Sequence, residues 1–398
     1  MYKLFICVKG HSSRCPNKNA NLIRFTIDWI RDTGHTNDAV VISDSNFICR
    51  IAEYHHIKYY HEPNNFDNEL MSIHRYLKQS GEHIDDVIVV PVTQPIRNKE
   101  LLDELINEPY GDVDFITTKR TVSDRHIFYV DDNNNFIYNS EQGERKGSLC
   151  KQQWMLDGSL YKLKVSVLGE LAQSINPNKC LWADHKFKTI VNSSYLYFDI
   201  DEPHEYAEFM RYKTRQEQAI LIANKPVVSY PVNISCYDKV ARVSRCTNHS
   251  LTGDYADILF IEASSVFFYY EYEWVSYLYN ILKNVRTVVL PFWRENMIDT
   301  CKEKGLISDS NQSLIVINKQ MNCEFHECVP GNPTSSILML YWLLQHGYHV
   351  TISAMDFINR QQNMPNEEFH FSTYIKEEEW LFKLFIEKKI SLGDDIEI

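Results

Sequence analysis

The 398-residue sequence has no run of about 20 apolar residues, the length that crosses a bilayer. Its first apolar stretch, within MYKLFICVKGHSSRC, turns polar after about eight residues, too soon for a signal peptide. Neither a membrane span nor a secretory leader is expected, and a cytoplasmic location is. The ten cysteines are scattered with no CxxC pair, which favours reduced thiols over a disulfide framework. Two glycine-rich phosphate signatures, GxxxxGK followed by Ser or Thr and GxGxxG, are also missing, as is any short internal repeat. Basic charge is in deficit: 41 Lys and Arg against 53 Asp and Glu leave a net charge of -12. That balance excludes a general binder of nucleic acid or anionic membranes, so a phosphate-bearing ligand needs a local basic pocket. The nearest approach to a metal cluster is CEFHEC, with Cys323, His326 and Cys328. Three soft ligands without an evident fourth read as a surface loop rather than a zinc site.

What is present is apolar material, 44% of residues, distributed as short runs. LFICV, AVVIS, DDVIVVPV and DFITTKR have the length and composition of buried strands. NLIRFTIDWIRDTG and NELMSIHRYLKQSG lie between them with helical spacing and a glycine at the end. VDDNNNF has the composition of a hairpin tip. A second series, AILIA, ADILFI, TVVLP, SLIVI and HVTIS, begins near residue 217, with SSILMLYWLLQHG and KEEEWLFKLFIEKK as helices. EPHEYAEFMRYKTRQEQ, helical in period and free of glycine, joins the two series. The expectation is α/β: two Rossmann-like domains, 1–214 and 215–398, each a mostly parallel sheet with helices on both faces.

Two segments of the first domain carry chemistry. VKGHSSRCPNKN leaves a strand and enters a helix, where free backbone N–H groups and the dipole favour an anion. Lys9, Arg14 and Lys18 add positive charge there, and Pro16 and Asn19 suit a turn and helix start. In YFDIDEP, Asp199 and Asp201 share one face of an extended segment, and two hard carboxylates suit Mg²⁺. Each segment alone reads more readily as a solvated turn or an acidic strand end. Together they fit a metal–nucleotide site better than either does alone.

With these residues the first domain resembles the CMP-sialic acid synthetases, the cytidylyltransferases that activate nonulosonic acids. The similarity runs in order over roughly residues 1 to 210, through SRCPNKN, VISDSNFICRIAEYHHIKYYHEP, VVPVTQPIR, DGSLYKL and FDIDEPHEYAEF. The resemblance implies a nucleotidyltransferase-like domain that converts CTP and a nonulosonic acid into a CMP-sugar and pyrophosphate. It implies that Lys9, Arg14 and Lys18 contact phosphates, with Lys18 and Asp201 catalytic. Asp199 and Asp201 would hold Mg²⁺. Asn19, Thr93 and Arg97 would contact the nucleotide, and Asp157 and Gly158 would line the sugar side. A homodimer formed through a hairpin within residues 122–140 follows from the same resemblance. The departures are Lys9 for an arginine, Pro91 for a glutamine, and Met155-Leu156 for Arg-Pro.

The second domain resembles the bacterial sialyltransferases of glycosyltransferase family 42, through IANKPV, SRCTN, PTSS, HGYHVTISAMDF and EEFHFS in order. A GT-A-like fold is the expectation. Asn224 and Asn248 would hold the CMP moiety, beside Arg245 and Cys246, and Ser335 and Ser336 would approach the donor at a helix N-terminus. His370 would be the general base for transfer with inversion, a task suited to a side chain that titrates near neutrality. Lys225 replaces a family glycine, and Arg360 or Tyr374 stands in for the tyrosines that grip the leaving phosphate. The combined expectation is a bifunctional enzyme acting on CTP, a nonulosonic acid, a CMP-sugar and a glycan acceptor, with peripheral association to a lipid-linked glycan and no nucleic-acid partner. The alternatives are that only one domain turns over, or that the protein binds CMP-sugars or glycans without turnover.

Overall fold

A computed structural model of the chain describes residues 1–62, 68–122, 129–130, 136–137, 153–194, 196–225, 227, 233–243, 255–262, 281, 284–303, 312–331, 333–358, 360 and 371–398. Its contacts divide the chain into two units, Met1–Lys9 with Phe25–Phe198 and Gly10–Arg24 with Asp199–Ile398. The loop and helix start at 10–24 therefore belong with the C-terminal half of the chain, although the sequence places them in the first domain.

In the first unit, β1 (Tyr2–Val8), β2 (Ala39–Ser43), β3 (Lys58–His61), β4 (Asp86–Val89) and β5 (Phe115–Val122) precede a small antiparallel pair, β6 (Tyr129–Val130) and β7 (Phe136–Ile137). That pair is the hairpin expected around VDDNNNF. The long β8 (Gln153–Lys164) and β9 (Phe187–Val191) complete a seven-stranded sheet of order β3-β2-β1-β4-β8-β5-β9. All neighbours run parallel except β8, which is antiparallel to β4 and β5. Strands β1, β2 and β4 carry apolar runs, LFICV, AVVI and VIV, because a parallel sheet is covered on both faces. Phe5, Val40, Val87, Phe115 and Leu163 share one core with Ile73 and Tyr76. The helices are α1 (Lys18–Thr33), which begins in the other unit, α2 (Asn46–Tyr54), α3 (Glu69–Ser80), α4 (Glu100–Asn107), α5 (Val165–Leu171) and α6 (Pro177–Asp184). Helix α3 shows how the local sequence sets its bounds. The Asn68 side chain accepts the N–H groups of Leu70 and Met71, and Gly81, at φ 66°, closes the other end onto Leu77.

In the second unit, α7 (Pro203–Thr214) leads into β10 (Gln218–Ile222), β11 (Lys239–Val243), β12 (Ile258–Phe260), β13 (Thr287–Leu290), β14 (Ser313–Val316), β15 (His349–Ser353) and β16 (Ile390–Leu392). These form a wholly parallel sheet of order β14-β13-β12-β11-β10-β15-β16. Its described helices include α8 (Ile298–Glu303), α9 (Lys319–Cys328), α10 (Ser335–Gln345) and α11 (Phe371–Ile386). Residues Ile337 to Leu343 of α10 are all buried, the mark of a helix apolar on every side and set in a core. The CEFHEC motif lies on α9 rather than in the expected loop, and among the described residues no group of three His, Cys, Asp or Glu is placed to hold a metal. No helix among the described residues is long and apolar enough to cross a membrane.

One buried base makes this sheet sensitive to acid. His349, on β15, has its Nε2 2.8 Å from Ser391 Oγ, and burial together with the charge of Arg24 pushes its pKa down to about 3. The unfolded imidazole titrates near 6.5, so the unfolded state binds the extra proton between pH 6.5 and 3 and stability falls as pH drops through that window. The slope of unfolding free energy against pH between 6 and 4 is expected to be steeper by up to about 1.4 kcal/mol per pH unit in the wild type than in His349→Gln. Urea midpoints across that range measure it, and identical slopes would remove His349 from the account.

Candidate functional site

In the first sheet β1 hands on to β2 on one side while β4 lies on the other, so the connections diverge at the carboxyl ends of β1 and β4. Such a switch point is where open α/β sheets bind ligands. Lys9 follows β1 and is exposed, and the segment after β4 supplies Thr93, half-buried, and Arg97. Arg97 is buried: Nε donates to Ser159 O at 3.0 Å, Nη2 to Pro91 O, and the guanidinium lies 5.2 Å from the Trp29 ring centre. Burial pushes its pKa down to about 9, against the pull of Asp157, so it stays charged at neutral pH. Its bonds tie two loops together, which gives it a structural duty beside any contact with a nucleotide.

The antiparallel β8 brings Asp157 and Gly158 to the same end of the sheet. Its pairing with β5 slips between Thr117 and Lys119, a bulge that re-aims side chains. Asp157 is 1% exposed and accepts from Thr118 Oγ1, from Ser159 N at 3.1 Å and from Asn192 Nδ2 at 2.7 Å. These bonds engage both of its oxygens and tie β8 to β5 and to the segment after β9. Gly158, at φ 61°, admits no side chain: a Cβ would lie 2.9 Å from the Tyr161 hydroxyl and 3.2 Å from Gln94 Nε2.

The basic loop is built within the second unit. A bond from Ser12 N to Pro16 O and another from Lys18 N to Cys15 O, both 3.1 Å, fold it tightly before α1. Lys18 is only 5% exposed and donates to Asp201 Oδ1 at 2.6 Å and to Ile200 O at 3.0 Å. Arg14 reaches the other oxygen of the same carboxylate at 2.7 Å, with Glu202 3.9 Å from its second nitrogen. Glu205, in the first turn of α7, accepts the N–H groups of Asp201 and Glu202 at 2.7 and 2.9 Å and so fixes the acidic segment. Burial pushes the Asp201 carboxyl up, but Lys18 and Arg14 outweigh it and hold it below its ordinary value. Asn19, half-buried, sits in the first turn of α1, and Asp199 is exposed. The two carboxylates expected to hold Mg²⁺ thus stand in different company, since both oxygens of Asp201 are engaged by cations. Two carboxylates with nucleotide phosphates are nonetheless a donor set that suits Mg²⁺.

The second sheet has its own switch point, between β10 and β15. Asn224 and Lys225 follow β10, and Lys225 Nζ lies 2.8 Å from Asp356 Oδ1 after β15 and 3.2 Å from Glu397. Ser335 and Ser336 open α10, as expected, but a protein carboxylate already sits there. Glu377, fully buried, accepts the Thr334 N–H at 2.6 Å and pairs with Arg360 at 2.6 Å. Arg360 and Tyr374, the residues expected to grip a leaving phosphate, are both buried, and Arg360 is already neutralised by Glu377. The sequence shows the charge of Arg360 but not the acid 17 positions on that pairs with it. His370, Asn248, Arg245 and Cys246 lie outside the described residues.

No family model and no curated protein sequence matches the chain. Among similar solved structures is a CMP:2-keto-3-deoxy-manno-octonic acid synthetase complexed with CTP, at 13% identity and a TM-score of 0.40, covering 54% of this chain and 98% of that one. Another is a 4-diphosphocytidyl-2C-methyl-D-erythritol synthase from Anaerococcus prevotii, at 13% identity and 0.39, covering 54% and 98%. A third is a cytidylyltransferase from Leptospira borgpetersenii, at 15% identity and 0.36, covering 53% and 87%.

Proposed function

We propose that the chain is a bifunctional enzyme that makes a CMP-activated nonulosonic acid from CTP and then transfers the sugar to a glycan acceptor. The observation that carries the first half is the convergence of Arg14 and Lys18 on the two oxygens of Asp201, at 2.7 and 2.6 Å. A buried ammonium and a guanidinium held by one carboxylate form a preorganised cationic pair. Such a pair is most useful where negative charge grows on a leaving group. The sugar hydroxyl attacks the α-phosphorus of CTP, and Arg14 and Lys18 meet the charge that develops on pyrophosphate. Lys9 adds charge at the end of β1. Asn19, Thr93 and Arg97 serve the nucleotide, and Asp157 and Gly158 line the sugar side. Mg²⁺, held by Asp199 and Asp201 with the phosphates, would supply further charge neutralisation. For the second half, Asn224, Asn248, Ser335 and Ser336 hold the CMP-sugar, and His370 takes the proton of the acceptor hydroxyl as CMP leaves. A homodimer in the cytoplasm, reaching a lipid-linked glycan from the side, completes the proposal.

Incubation with CTP, Mg²⁺ and a panel of nonulosonic acids, followed by phosphorus NMR, tests it. Pyrophosphate and a CMP-sugar are the expected products, with CMP released when a galactoside is added. Asp201→Asn is expected to slow pyrophosphate release at least 100-fold, roughly the value of a lost transition-state partner, and to spare transfer from supplied CMP-sugar. His370→Ala is expected to do the reverse. No pyrophosphate with any sugar would refute the synthetase half and leave a transferase or a non-catalytic binder.

A further inference from the structure

The underside of the basic loop is bound to the last residues of the chain. Asn17, buried, donates through Nδ2 to Gly393 O at 2.6 Å and to Ile396 O at 2.7 Å. Cys15 Sγ lies 3.5 Å from Asp394 Oδ1. Asn21, also buried, pairs its side-chain amide with both backbone groups of Leu392, at 2.8 and 2.9 Å, as a neighbouring strand would. The other side of the same C-terminal turn faces the switch point of the second sheet. Asp395 Oδ2 accepts the N–H of Ala354, a non-glycine residue at φ 54°, at 2.5 Å. Glu397 pairs with Lys225, which also holds Asp356. Gly393 sits too tightly for any other residue, since a Cβ would lie 2.8 Å from Ile352 O and 2.9 Å from Asp395 Oδ1.

We infer that the C-terminal turn Gly393–Glu397 is a positioning element for the basic loop, acting through Asn17, and that the residues after β10 and β15 set its place in turn. The catalytic consequence rests on the reading of the loop as a phosphate site. A carbonyl clamp with two bonds from one buried amide leaves the loop little freedom. Lys18 follows Asn17 directly in the chain, so an error at Asn17 is passed to the Lys18 ammonium. Displacements of about 1 Å in a catalytic group can cost on the order of 100-fold in rate. Asn17 and Asp395 are thus positioning residues and touch no substrate in this scheme.

The test compares the full-length wild type with Asn17→Ala and Asp395→Ala. Amide hydrogen exchange is followed over residues 10–18 and 393–397, with β10 as an internal reference. Steady-state pyrophosphate release is measured at varied CTP. Exchange at 10–18 is expected to rise at least 10-fold in both variants while β10 stays protected, although Asp395 makes no bond to that loop in this scheme. For Asn17→Ala, kcat is expected to fall about 30-fold with KM for CTP within about twofold, the signature of a contact that matters only in the transition state. Unchanged exchange at 10–18 in either variant would overturn the inference whatever the kinetics. Opened exchange with unchanged kcat would overturn its catalytic part. If the wild type releases no pyrophosphate, the phosphate reading fails, and the exchange data alone decide the positioning role.

Discussion

Lys18→Met is expected to lower pyrophosphate release by about 10³-fold, the largest kinetic effect of any single side chain in the basic loop. Three observations set the size. The ammonium is withdrawn from solvent, so its interaction with a developing phosphate charge is weakly screened. It is aimed by Asp201 and by the Ile200 carbonyl at 2.6 and 3.0 Å, and it therefore needs no reorganisation as the bond to pyrophosphate breaks. Arg14, on the same carboxylate, is largely exposed and keeps most of its hydration, which makes it the weaker partner. Methionine preserves the stem and its packing and removes only the charge. Asp201 retains Arg14 in the variant, so the fold is expected to survive and thermal unfolding to shift little. Lys18→Arg is expected to recover only part of the rate, because a forked guanidinium does not fit where a compact point charge was buried. The measurement is pyrophosphate release at saturating CTP and sugar, alongside CTP affinity by calorimetry. A Lys18→Met enzyme within tenfold of wild type would show that Lys18 is a structural cation of the Asp201 cluster and nothing more.

The strands that the sequence displays are those with both faces covered. β1, β2 and β10 carry apolar runs because a parallel sheet between helices is buried on both faces. Edge strands give weaker signals. β3 reads KYYH with two exposed residues, and β16 is three residues long, so neither stands out from a loop. The antiparallel run of β8 between β4 and β5 follows from its place in the sheet rather than from its own pattern. The cationic loop and the acidic segment were legible as charge patterns, and the structure brings Lys18 and Asp201 together across 183 positions. What no local pattern showed is that Asn17, Asn21 and Arg24 belong with the C-terminal strand. Polar residues in a loop and a first helical turn look ordinary until their long-range partners are known. Arg360 is the same case: its charge is visible in the sequence, but its pairing with Glu377 is not.

Arg24→Ala is expected to destabilise the second unit by about 3–5 kcal/mol, because it leaves buried carbonyls without a donor at about 1–3 kcal/mol each. The guanidinium has no exposure at all. Its Nη1 donates to Phe385 O and, at 3.0 Å, to Ile390 O, while Nε reaches Asn21 O at 3.1 Å. The group also lies 3.8 Å from the Phe385 ring centre, where a desolvated cation–π contact adds about 2 kcal/mol. Removing it strips carbonyls at the end of α11 and on β16 of their donor in a place water reaches poorly, and opens a cavity beside Phe385. Arg24→Met fills the cavity without restoring the donors, and Arg24→Lys restores a charge with a single point of contact. The expected order of loss is therefore Ala, then Met, then Lys. For a unit of this size the alanine variant should melt roughly 6–20 °C lower. The same substitution removes the charge that helps keep His349 neutral, so the His349 pKa should rise in Arg24→Met, a shift that NMR titration reads directly. The two effects separate cleanly. A stability loss without a His349 shift would mean that burial alone governs the histidine, and a loss below about 1 kcal/mol would mean that the carbonyls of Phe385 and Ile390 find other donors.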